Sequence, residues 1–113
     1  MIKVIHNRAI PSVTIKGHAG SGEKGHDLVC ASVSILAYTL ASITEDMKQG
    51  TQVHGVTVEL NDGGALISCE PIGHYSYPIK LMFETICTGF NLLAHEYPDN
   101  VLFELIDEDK KGE

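Results

Sequence analysis

At 113 residues the chain has room for one core of ordinary size and not for two independent ones, so it is read as a single domain, 1–113. Eight Lys and Arg against fifteen Asp and Glu leave a formal charge of −7, which argues against direct contact with nucleic acid, since phosphate binding needs clustered basic residues. Three cysteines without a CxxC pair fit neither a disulfide framework nor a structural zinc site, and reduced thiols are the expectation. MIKVIHNRAI has no apolar run and no cleavage site of a secretory leader, so the chain is expected to be cytoplasmic.

Along the chain, IKVIH (2–6) and SVTIKGH (12–18) alternate β-branched and polar residues, with Arg8 and Pro11 in the turn between them; they predict a hairpin. LVCASVSILAYTLASIT runs 17 residues without a charge. It is short for a membrane span and carries Ser32, Ser34, Thr39 and Ser42, so the pattern from Asp27 to about Lys48 predicts a buried helix, apolar on nearly every side and suited to close packing against a sheet. HGVTVEL (54–60), the turn NDGG (61–64) and ALISCE predict a second hairpin. PIGHYSYP (71–78) reads as the turn into a second helix, or as a loop on the substrate side. Pro78 suits the first turn of that helix, whose apolar positions Ile79, Met82, Phe83, Ile86, Phe90, Leu93 and Tyr97 recur at three and four. VLFELI (101–106) is a last strand. The order ββαββαβ predicts an α+β, two-layer domain with two helices on one face of a largely antiparallel sheet. Strand order cannot be read from the sequence.

The stretch GHAGSGEKGHDLVC (17–30) carries the candidate chemistry. With Asp27 as helix cap, Cys30 falls at the third helical position, where unpaired N–H groups and the helix dipole favour a thiolate and could hold an oxyanion. His18, at the end of a strand twelve residues earlier, is a candidate proton carrier for it. Parity opposes this, because a regular pleat turns His18 with Thr14 and Lys16 away from the helices, unless Gly17 kinks the strand. From the residues alone, a catalytic pair stands beside a core cysteine with a surface histidine, and beside a metal site of His18, His26 and Cys30 with an outside ligand. Cys69 and Cys87 read as small buried hydrophobes. His6, His54, His74 and His95 have no mutual ligand spacing.

GHAGSGEKGHDLVCASVSIL resembles the ribosomal-processing cysteine protease (Prp) family, whose pattern is close to G-H-A, a glycine-containing loop, then G-x-D-[IV]-V-C-A-[AS]-x-S. Gly17, His18, Ala19, Gly25, Asp27, Val29, Cys30, Ala31 and Ser34 match, and Leu28 replaces the usual isoleucine or valine. The resemblance implies an endopeptidase that removes the N-terminal extension of a large-subunit ribosomal protein, number twenty-seven, cutting after an aromatic residue. It implies His18 as base and Cys30 as nucleophile, with Asp27 and Ser34 in support. Gly20, Ser21, Gly22, Glu23, Lys24, Gly25 and His26 would form the substrate loop. No metal, cofactor or membrane partner is implied, and a homodimer is expected. The acidic balance suits a lysine-rich substrate, and equally a non-catalytic partner that only binds a basic ribosomal protein.

Overall fold

The computed structural model describes residues 1–18 and 26–109, the side chains of His26 and Asp27 excepted. Its elements are β1 (Ile2–Asn7), β2 (Ser12–Gly17), α1 (His26–Asp46), β3 (Val53–Asn61), β4 (Gly64–Pro71), α2 (Ser76–Glu96) and β5 (Val101–Ile106), in the expected ββαββαβ order. Of the two readings of PIGHYSYP, the turn into the helix holds: β4 ends at Pro71, a 3-10 turn spans Gly73–Tyr75, and Pro78 stands in the first turn of α2.

The five strands form one sheet in the order β3-β4-β2-β1-β5. Three neighbouring pairs are antiparallel, and β1 with β5 is parallel. Alternation along β1 and β2 turns Ile2, Val4 and His6, and Val13 and Ile15, to the helix layer. They meet Val29, Val33, Ala37 and Leu40 of α1 and Ile79, Phe83, Cys87 and Phe90 of α2 in one core. Gly89 lets the helices approach closely, since a Cβ there would come within 3.0 Å of both Leu36 methyl groups. On β3 the predicted alternation is broken by a register shift between His54 and Thr57, where Gly55 has φ +60°.

As expected, α1 packs against the sheet. α1 is buried along a single stripe only, and Leu28, Ile35, Tyr38 and Ile43 are exposed on its other side. Residues 28–49 have the length and mean hydropathy, 1.6, that a membrane span would share, but the inner stripe is packed on the sheet. An alanine- and serine-rich helix reads as apolar all round because its small residues blur the two faces.

His6 is 3% exposed and faces a small cavity with Arg8, Lys80, Phe83, Glu84 and Asp107. Loss of solvation holds its pKa below the ordinary 6.5; Glu84 opposes that shift and Arg8 adds to it. The unfolded chain therefore takes up a proton, once the pH falls below about 6.5, that the folded chain resists, and stability falls with pH through that range. Urea midpoints measured from about pH 8 to about pH 5 are expected to decline toward acid, and less steeply in a His6→Leu chain. Equal slopes in the two proteins would remove His6 from the acid response.

Candidate active site

β2 ends at Gly17, whose φ of +100° lies in the region that a side chain rarely adopts. A Cβ at this position would collide with the Met1 carbonyl oxygen. The regular pleat therefore stops one residue before His18, and the parity that would have turned the histidine outward no longer applies. His18 is exposed, and it lines a cleft of about 410 Å³ together with Cys30. Main-chain bonds fix this strand end: the Gly17 N–H donates to the Gly63 carbonyl at 3.0 Å, and the Met1 amino group donates to the His18 carbonyl at 2.6 Å.

The cleft runs between the first half of α1 and the end of the β3–β4 hairpin. α1 supplies Cys30, Val33, Ser34, Ala37 and Tyr38; the sheet supplies Ile2, Ile15, Leu60 and Ala65; the turn supplies Asn61, Asp62, Gly63 and Gly64. This turn was read from sequence only as a turn. Its approach to the site follows from strand order: β4 lies beside β2 with Gly64 opposite Lys16, which carries the hairpin end alongside Gly17 and His18. Among the described residues, only glycines have positive φ, so Gly63 at +79° makes the reversal and Asp62 does not.

α1 begins at His26, so Cys30 is its fifth residue and not its third, and Asp27 occupies the first turn and not the cap position. Within the described helix, the N–H groups that lack helical acceptors are then those of residues 26–28, in the turn before the cysteine. Cys30 is partly exposed on the cleft, while Cys69 and Cys87 are 0% and 2% exposed. Burial pushes the Cys69 thiol up to about 11, helped by Glu70, and the Cys87 thiol up to about 12, helped by Glu84. Neither ionises near neutral pH. Ser34 lines the same cleft one turn beyond Cys30. Gly20, Ser21, Gly22, Glu23, Lys24 and Gly25 lie outside the described residues, as does the side chain of His26. Among the described residues, no three His, Cys, Asp or Glu side chains gather to hold a metal ion. A thiol and an imidazole on one partly apolar cleft supply a nucleophile and a proton carrier for acyl transfer.

Compared with known proteins, residues 1–102 match the family model described as Cysteine protease Prp. The ribosomal processing cysteine protease Prp of Staphylococcus aureus is 24% identical over 92 residues, covering 81% of this chain and 83% of the relative. Among solved structures, SMU.848 from Streptococcus mutans has a TM-score of 0.68 at 34% identity, covering 95% of this chain and 93% of the other. The S. aureus Prp solved with a substrate peptide has a TM-score of 0.67 at 20% identity, covering 92% and 96%. At these levels the likeness to the peptide complex is one of fold.

Proposed function

The chain belongs to the Prp family of cysteine proteases, and from that premise we propose that it is the endopeptidase that trims a ribosomal protein precursor during ribosome maturation. The substrate is the N-terminal extension of a large-subunit ribosomal protein, number twenty-seven, cut after an aromatic residue. The observation that carries this reading is that Cys30 and His18 open on one cleft while the other two cysteines are buried. In the first step His18 takes the Cys30 proton and the sulfur attacks the carbonyl carbon, forming the C–S bond as the oxygen becomes an oxyanion. The N–H groups of residues 26–28 are the donors without helical partners nearest the cysteine in the chain. Collapse breaks the C–N bond, and His18 returns the proton to the departing amine. Water, deprotonated by His18, then cleaves the thioester and restores the thiol.

Ser34 and Asp27 take supporting roles, Ser34 from its place on the cleft and Asp27 from its place in the first turn of α1. Val33, Ala37 and Tyr38 offer apolar wall for an aromatic side chain. A chain of charge −7 attracts a lysine-rich precursor. Free thiols at Cys30, Cys69 and Cys87 suit a reducing cytoplasm. We assign a homodimer to the outer helix surface, where Ile35 and Leu92 are 63% and 65% exposed beside a groove that Leu36, Gly89 and Leu93 also line.

Incubation with a synthetic precursor peptide, read by mass spectrometry, tests the reading. Two fragments are expected whose masses sum to the precursor plus one water, with the new carboxyl terminus on an aromatic residue. An uncut precursor that binds the folded protein would leave only the non-catalytic partner. Cleavage after some other residue type would overturn the specificity.

A further inference from the structure

We infer that Gly63, in the turn between β3 and β4, seats the His18 imidazole and is thereby a positioning residue for the reaction. This rests on the reading of His18 and Cys30 as the working pair. A Cβ built on Gly63 would stand 2.7 Å from His18 Nε2, 3.1 Å from Cε1 and 3.6 Å from Cδ2. Those three atoms are the distal edge of the ring. The imidazole therefore meets the turn tip first, at a backbone position that carries no side chain. A second contact joins the same two segments, because the Gly17 N–H donates to the Gly63 carbonyl at 3.0 Å. The main-chain bond sets where the residue before His18 stands, and the bare Cα sets how far the ring can swing toward the turn.

The two glycines of this contact differ in what a side chain would meet. At Gly17 an added Cβ meets the main chain of Met1, which cannot move without disturbing the start of β1 inside the sheet, so its loss acts on the fold. At Gly63 the three atoms nearest the added Cβ all belong to the free end of an exposed side chain, which yields. The steric consequence there falls on the position of the imidazole. What remains for the fold is the left-handed backbone, since Gly63 has φ +79°.

That remaining strain has a matched control. Gly73 has φ +57°, no atom lies within 4 Å of its added Cβ, and it does not line the cleft. Gly63→Ala and Gly73→Ala are therefore expected to lose similar stability, while only Gly63→Ala loses kcat for precursor peptide, by roughly ten-fold or more, with KM little changed. The pH profile of kcat/KM and the NMR resonance of the His18 Cε1–H should move in Gly63→Ala and stay in place in Gly73→Ala. Gly63→Asn tolerates the left-handed backbone while still carrying a Cβ, so it should fold better than Gly63→Ala and lose the same kcat.

His18→Ala separates the two ideas under test. If His18→Ala cuts peptide at the parent rate, the catalytic pair is wrong and the seat falls with it. If His18→Ala is inactive while folded Gly63→Asn keeps the parent kcat and an unshifted His18 resonance, the pair stands and the seat is overturned.

Discussion

Replacing Cys30 with serine or alanine is expected to lower precursor cleavage by more than about 10³-fold while leaving the urea midpoint near that of the parent. The loss follows from ionisation. A serine hydroxyl holds its proton far more tightly than a thiol, and the start of a helix stabilises an anion by only about 0.3 to 1 kcal/mol at an exposed site. Stability should be spared because Cys30 is only partly buried, at the edge of the core. The matched substitutions invert the pattern. Cys69→Ser and Cys87→Ser place a hydroxyl where almost no surface is exposed and are expected to cost about 1 to 3 kcal/mol, with full activity per folded molecule. Peptide turnover by mass spectrometry, normalised to folded protein, decides it: an active Cys30→Ser would take the nucleophile away from this position.

His18→Ala is expected to reduce cleavage by about 10² to 10⁴-fold, and alkylation of Cys30 by iodoacetamide near neutral pH by much less. Both reactions need the sulfur as nucleophile, so both lose whatever the imidazole does to ionise the thiol. Peptide cleavage also needs a proton delivered to an amine leaving group, which iodide does not require. The gap between the two losses measures that second role. Because Cys69 and Cys87 remain un-ionised at this pH, alkylation reports on Cys30 alone. Unchanged rates in both assays would mean that the two ends of the 17–30 stretch do not work together.

The strands and helices were legible because each carries its own period: alternation in 2–6 and 12–18, spacings of three and four from Ile79 to Tyr97. The cysteine near a helix start was legible too, although the helix begins at His26 and sets Cys30 two residues deeper than a cap at Asp27 would. The approach of His18 to the cleft turned on one dihedral angle. A pleat rule applied to Thr14 and Lys16 has no term for Gly17 at φ +100°, and the sequence offered only the glycine as a hint. The NDGG turn illustrates a different limit. Its residues announce a reversal of the chain, but nothing local in them says which strand β4 will lie beside, and that pairing is what brings Gly63 to His18. The exposed face of α1 was hidden for a compositional reason, since a run of alanine, serine and leucine gives no polar stripe by which to tell outside from inside.

The parallel pairing of β1 with β5 also bears on how the enzyme comes into being. Ile2 lies opposite Val101 and Asn7 opposite Ile106, and the Ile2 N–H donates to the Asn100 carbonyl at 2.7 Å, so nearly the whole chain separates partners that must meet. Contacts of such long sequence separation form late, because the loop entropy must be overcome before they contribute. During synthesis β1 has a bare edge until residue 106 has left the ribosome, and Ile2, on that strand, is one wall of the cleft. His18 and Cys30 are made in the first third of the chain, yet the cleft around them waits for the last strand of the sheet. The cleft is therefore completed only after translation of β5, and a nascent chain carries His18 and Cys30 before the strand that bears Ile2 has gained its second neighbour.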